Sequence, residues 1–448
     1  MPGVTHDPDQ AAHERGNVTA SPPPGPALRL GDTTARTLLA ETTSAADANA
    51  VYERLRTRWG SIAPVDLEPG VPAWLVLGHS AAVGMLRDDR TFIKDPSIWN
   101  GHGAGLLGPT STLHLVLAKT PKPTLADADG PKHARLRPPV DDALEQIDET
   151  RAGAITRRLC GMLIDRFEDR GRADLVAEYA AVVPFLVLSE LDGLEPTQAQ
   201  RLQEITRAIF EAGADARALT DELREIVTGH IAYSRERGTR DIAGVLSVHD
   251  NFEHDLERAQ TLTAITAAAT EALMAWIAQT LVLVLSDPRF SHRISGGRLH
   301  IDDALDEVLW RSTTNPNLMP RFAVRDVEID GKLIRRGDPV VVAVHAANHD
   351  PLVQSDDPWD TVGNRAYLSF GAGAHRCPAP RLGRVVSRIA VAELLQRLQV
   401  TLDGDPDKVE WATSPWMRFP ARLPVTFPSP REQAPPRPLF PTTAPPAH

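Results

Sequence analysis

The chain has 448 residues, 42% of them apolar, and carries 48 Lys and Arg against 59 Asp and Glu for a formal net charge of −11. That balance argues against a general nucleic-acid binder. Two cysteines cannot make a disulfide framework, which places the chain in a reducing cytoplasm.

Residues 1–34 are polar and Pro-rich (SPPPGP at 21–26), lack the apolar stretch of a signal peptide, and are expected to be disordered. Residues 428–448 read the same way, leaving one domain over 35–427. Apolar, β-rich runs at 71–77 and 337–345 predict strands. Helical periodicity marks 45–58, 79–87, 134–145, 150–169, 174–192, 196–212, 216–236, 255–286, 302–311 and 378–398, where Pro378 and Pro380 fall in the first turn. The fold class is therefore mainly α with a minor β-sheet region. Leu262–Leu285 is apolar enough to suggest a membrane span. It holds Glu271, costly in lipid, so a helix through a core is predicted and no membrane association.

Near the C-terminal end lies Phe370-Gly-Ala-Gly373-Ala-His375-Arg-Cys377-Pro-Ala379. Glycines here let the backbone pass close under a flat ligand. The helix that follows offers free N–H groups and its dipole to negative charge on sulfur. A buried free cysteine beside a turn is the plain alternative, but it leaves the spacing of Phe370, Gly371, Gly373 and His375 unexplained. The stretch resembles the haem-binding loop of cytochrome P450, Phe-x-x-Gly-x-His-x-Cys-x-Gly, with Ala379 at the last glycine. The resemblance implies haem b (iron protoporphyrin IX) with Cys377 as the ligand to iron. The implied fold sandwiches haem between a long central helix and the cysteine loop.

Other segments fit the resemblance with departures. His133 and Arg137 are four apart and share one helix face. Alone they read as a solvated basic helix start; beside Cys377 the resemblance makes them, with Arg321 and His375, partners of the haem propionates. Glu307-Val-Leu-Trp310-Arg311 stands where relatives carry Glu-x-x-Arg. A shift of one residue turns a helical side chain by ~100°, so Arg311 is not expected to substitute, and the chain resembles an actinobacterial subset with Glu-x-Leu-Trp. Gly-Gly-Arg at 296–298, Ala-Ala-Asn at 346–348 and Trp416-Met-Arg resemble that subset too. Ala268-Ala269-Thr270-Glu271-Ala272 aligns with the family's Ala-Gly-x-(Asp/Glu)-Thr, which makes Ala268, Glu271 and Ala272 the catalytic positions, with alanine where an alcohol is usual. A hydroxyl both donates and accepts, and alanine does neither. For Glu271 a salt bridge in a helix bundle or a plain surface position is the alternative to facing a wet cavity.

The implied substrate pocket draws on Trp99, Leu107, Leu117, Leu186, Ala268, Asn317 and Trp416, with Trp276 read as core. Arg381, Arg384 and Arg388 form a stripe that either docks an acidic donor or is simply solvated. The resemblance implies an oxygen-dependent oxidoreductase acting on a small-molecule natural product, by hydroxylation or by oxidative C–C or C–N coupling of an aromatic or cyclic-dipeptide substrate. Electrons would come from a ferredoxin and its reductase. The competing class is a catalytically silent haem-binding interaction protein; peroxide-driven chemistry ranks lower because no Arg lies between 262 and 286.

Overall fold

The computed structural model describes residues 27–120, 124–212, 217–290, 300–354 and 363–429. The described helices are α1 Glu41–Ser44, α2 Ala48–Trp59, α3 His79–Arg87, α4 Gly130–Glu145, α5 Glu149–Asp165, α6 Val182–Leu191, α7 Pro196–Ala212, α8 Arg217–Arg237, α9 Ile242–Val248, α10 Asp255–Ser286, α11 Ile301–Glu307, α12 Val344–Asn348 and α13 Pro380–Arg397. Two π turns, Val176–Ala180 and Val308–Ser312, precede α6 and follow α11.

The axis of the molecule is α10. Its start is fixed by His254, whose Nδ1 accepts the Glu257 N–H at 3.1 Å, and by Glu257 itself, which meets the Arg135 guanidinium of α4 through two hydrogen bonds of 2.7 and 2.9 Å. Along its length α10 is packed by α6, α8, α9, α11 and α13. It is long and apolar enough to cross a membrane by length and composition, yet Trp276, Ile277, Ala278 and Leu281 lie in the main helical core with Leu136, Tyr179, Ile231 and Val391. Each such large aliphatic side chain contributes about 2 kcal/mol on burial, so the apolar composition is that of a core helix.

Beside the helices lies a six-stranded sheet in the order β2 (Thr37–Leu38), β3 (Ile62–Asp66), β4 (Pro72–Val76), β10 (Pro339–Val342), β7 (Arg321–Ala323), β5 (Phe92–Ile93). β3 and β4 form an antiparallel hairpin, and β10 joins β4 in parallel with Val341 opposite Leu75. Both faces of β4 and β10 are covered, which is why these two runs are continuously apolar rather than alternating. Two small three-stranded sheets complete the fold: β1 (Leu28–Arg29), β9 (Lys332–Ile334) and β8 (Val327–Ile329), and β11 (Thr401–Leu402), β12 (Pro424–Thr426) and β6 (Arg172–Asp174).

Three boundaries differ from the sequence reading. Leu28 pairs with Lys332 and Leu30 is buried, so ordered structure begins before residue 35. At the other end Ser429 is buried and donates to Asp169 O. The expected strand 337–345 stops at Val342, and Val344–Asn348 is helical. Of the segments expected to be disordered, 1–34 and 428–448, residues 1–26 and 430–448 lie outside the described residues, as does the Gly-Gly-Arg at 296–298.

Candidate functional site

The cysteine loop is a folded turn set on the first turn of α13. Gly371 and Gly373 have φ of 69° and 70°, and a Cβ on Gly373 would come within 2.2 Å of Leu86 O, so this close pass against α3 needs glycine. The Cys377 N–H donates to Phe370 O at 2.9 Å, closing the loop on itself. Burial raises the Cys377 thiol pKa, while the Ala379 N–H aimed at sulfur and the Arg137 and Arg376 charges act the other way. Burial disfavours the anion while donors for it are already in place, which is the chemistry of a sulfur suited to a metal ion.

Four basic groups gather beside it. The rings of His133 and His375 are 4.4 Å apart, and Arg321 is buried with a hydrogen bond to Phe92 O at 3.0 Å. Lys94 reaches Met319 O at 3.0 Å. Asp129 is the carboxylate hydrogen-bonded within the group, accepting the backbone N–H of Lys94 at 2.6 Å and lying 3.4 Å from His375 Nε2. Asp88, Asp89 and Asp127 also act on the group, but burial outweighs the carboxylates at each of its four members. Burial first, then His375 and Arg137, pushes His133 down to about 4; burial and Arg321 push Lys94 down to about 8; burial lowers Arg321 and His375. His133 Nε2 is buried with no partner among the described residues. The cluster fits a ligand carrying carboxylates of its own.

Across from the loop, Leu273 and Trp276 of α10 sit against Gly383 of α13, and Phe370 packs edge-on to Trp276 at 5.9 Å. One turn earlier the helix face is open: Ala267, Ala268 and Glu271 are exposed although they lie midway along the central helix. Burial nevertheless raises the Glu271 pKa. Glu271 is thus accessible yet partly desolvated by its neighbours, as a side chain in a recess of the α10 face is. Recess, thiol donor and a buried basic cluster with an unpartnered His133 Nε2 fit haem: a flat ring with a central metal and two carboxylates.

Residues 300–418 match the family model for cytochrome P450. Nocardicin C N-oxygenase of Nocardia uniformis is 27% identical over 86% of this chain and 96% of that protein, and the polyketide biosynthesis cytochrome P450 PksS of Bacillus subtilis 25% over 80% and 89%. The structure of the myxobacterial cytochrome P450 CYP267B1 in complex with myristic acid superposes with a TM-score of 0.74, at 26% identity, over 86% of this chain and 97% of that one. Residues 300–418 thus carry a cytochrome P450 domain, and over most of its length the chain is similar to cytochrome P450s. It is accordingly an oxidoreductase that works with haem iron and takes small-molecule substrates and redox partners.

Within this P450 the expected site residues separate. Cys377, Phe370, Gly371, Gly373, Ala379, His133, His375 and Arg321 come together as above. Arg137 does not point free into the site: its guanidinium meets both Asp141 oxygens at 2.8 Å and the carbonyls of Ala374 and Arg376 at 3.1 and 2.9 Å, so it clamps the loop. Ala268 and Glu271 line the recess, with Ala272 half-buried beside them. Leu107, Leu186 and Trp416 are half-buried, whereas Trp99 and Leu117 are packed into the sheet core with Tyr52, Leu75 and Phe322. Asn317 is not a lining residue. It is 1% exposed, its Oδ1 accepts from Tyr52 at 2.9 Å, and its Nδ2 donates to Thr42 Oγ1 and Pro415 O.

The arginine stripe is also not uniform. Arg381 is exposed and pairs with Glu149 at 2.8 Å, and Arg388 lies 4.0 Å from Asp302. Arg384 instead turns inward to Asp306, Asp302 and the Tyr367 hydroxyl. Arg311, not expected to substitute for the arginine of Glu-x-x-Arg, lies 3.4 Å from Glu307. Lys94 escaped sequence reading: no periodicity marks a lysine that follows an edge strand, and the nearest signal was Asp129 at the head of the His133 segment.

Proposed function

We propose that this P450 is a single-domain, cytoplasmic monooxygenase of specialised metabolism. In this reading Cys377 holds the iron of haem b, and His133, His375, Arg321 and Lys94 hold the propionates. When bound, haem supplies the oxidising equivalent that removes hydrogen from the substrate. The protein's part is to keep sulfur anionic, exclude water, orient the substrate against Ala268 and deliver protons.

Glu271 is the proton donor of the reading. It is the ionisable side chain of the α10 recess, and its raised pKa keeps a proton available nearer neutrality. Ala272 supplies no hydroxyl, so the proton travels from Glu271 through water or through a substrate hydroxyl. That arrangement suits two outcomes on one site: hydroxylation, or oxidative coupling of an aromatic or cyclic-dipeptide substrate that takes hydrogen and inserts no oxygen. Electrons are supplied in this reading by a small acidic ferredoxin and its reductase, meeting the exposed Arg376 and Arg381 beside the loop.

The observation that carries the reading is the Cys377 thiol presented at the head of α13 next to a cluster of buried basic side chains, one of them with a ring nitrogen left without a partner among the described residues. The test is the carbon-monoxide difference spectrum of the reduced protein. The parent is expected to show the thiolate-ligated band and Cys377→Ala to lose it; a Cys377→Ala protein with an unchanged band and product removes the reading. Turnover under labelled dioxygen then divides the two reactions, since label in the product excludes coupling as the main one.

A further inference from the structure

The segment that leads into the cysteine loop is gripped by one irregular stretch of helix. After α11 the chain does not continue as an α-helix: Val308–Ser312 is a π turn, closed by the Thr313 N–H on Val308 O at 2.6 Å. A π turn holds one residue more than an α turn, and such bulges concentrate at functional sites.

Arg311, four along from Glu307, lies 3.4 Å from it, the ordinary spacing of side chains that share a helix face. The extra residue has a different consequence. The Leu309 carbonyl loses its ordinary helical partner, because the Thr313 N–H is spent on Val308. Leu309 O instead accepts from Asn348 Nδ2 at 3.0 Å, from Thr313 Oγ1 at 3.2 Å and from Ser369 Oγ.

Trp310 is buried, donates its indole N–H to Asn364 O at 2.7 Å and meets the Tyr367 ring edge-on at 5.6 Å. One turn earlier, Asp306 accepts from the Tyr367 hydroxyl at 2.9 Å and from Arg365 Nε at 3.2 Å. Asn348 closes the set by accepting the Leu368 N–H at 2.8 Å. Residues 364, 365, 367, 368 and 369 are thus each tied to α11, its π turn or Asn348. The next residue is Phe370, whose carbonyl holds the Cys377 N–H.

We propose that the π turn, with Trp310 as its extra residue, sets the position of the cysteine loop, and that Trp310 is a positioning residue for thiolate ligation by Cys377. The proposal rests on the haem-thiolate reading and is separable from it: a parent protein without the thiolate band defeats that reading, and the variants below then need not be made. Trp310→Phe keeps the ring and removes the N–H; Trp310→Ala removes both.

In the haem-loaded, reduced, carbon-monoxide-bound proteins, the ratio of thiolate to neutral-thiol band is expected to fall about fivefold for Trp310→Phe and further for Trp310→Ala. Ser369→Ala, which strips a donor from Leu309 O, is expected to act in the same direction. Haem stoichiometry and the urea midpoint of Trp310→Phe are expected to match the parent. An unchanged ratio in Trp310→Phe and Trp310→Ala overturns the proposal. So does a ratio that falls only in step with the urea midpoint, since Trp310 would then be ordinary core.

Discussion

Glu271 shows how one side chain acquires a task from its surroundings. On an outer helix face its carboxyl would titrate near the usual carboxylate range; in the recess of α10, burial raises it. Glu271→Gln keeps size and polarity and removes the exchangeable acid. Product formation is expected to fall about a hundredfold, while the spin-state shift on adding substrate keeps its midpoint. A weakened spin-state titration would show that Glu271 binds substrate instead. Asp192, at the end of α6, is a second buried acid outside the recess. Thr266 Oγ1 donates to it at 2.7 Å, and burial, helped by Asp241, raises it to about 7. His230 of α8 meets its backbone carbonyl rather than its carboxylate. The folded pKa exceeds the unfolded one, so the stabilising proton is held fully below the unfolded value and is lost as pH rises through about 7. Urea unfolding of the parent and of Asp192→Asn from about pH 4 to about pH 8 is therefore expected to differ in slope against pH if Asp192 carries the trend. The parent should lose stability toward neutral pH relative to the variant, and a constant difference between the two would contradict the assignment.

At the scale of elements, legibility tracked whether a signal was local. The α10 helix, α13 and the β4 strand are written as long apolar periods or runs, and the structure places them within a few residues of expectation. The Phe370–Ala379 spacing was readable because the turn's glycines, ring and sulfur all lie within ten residues. The π turn was not readable, since a one-residue insertion leaves the apolar pattern of 302–311 intact and changes only which carbonyl is free. The strand expected through residue 345 failed for a related reason: Val341-Val-Ala-Val344 is apolar in either conformation, and the turn to helix at Val344 is set by tertiary contacts. His345 stacks between Tyr52 and His349 and meets Asn49 at 2.6 Å. The substrate pocket was the least legible part. Trp99, Leu117 and Asn317 carry the composition of a lining, and burial against the sheet instead of the recess is decided by loop path.

For the whole molecule, the ordered C-terminal segment returns to close the fold against its N-terminal part. Arg418, 5% exposed, reaches back to the end of α1, donating to the carbonyls of Thr43, Ala45 at 2.8 Å and Ala46 at 3.2 Å, and its guanidinium lies 3.6 Å over the Trp411 ring. Its own backbone carbonyl accepts from Gln279 Nε2 of α10 at 2.6 Å. One residue thus joins the first helix, the central helix and the terminal loop, and Asn317 repeats the pattern through Tyr52, Thr42 and Pro415. Burial lowers the Arg418 pKa to about 10, so it stays charged at neutral pH and its cost is met by three carbonyl dipoles and a ring face. Arg418→Ala leaves those carbonyls unpaired in a closed site, and about 3 kcal/mol of unfolding free energy is expected to be lost. Arg418→Lys keeps the charge but has no planar fork to span the three acceptors, and is expected to recover less than half of that loss. Urea unfolding followed by far-ultraviolet circular dichroism measures both. A full rescue by lysine would mean that charge alone, and not the fork, ties the two ends of the chain together.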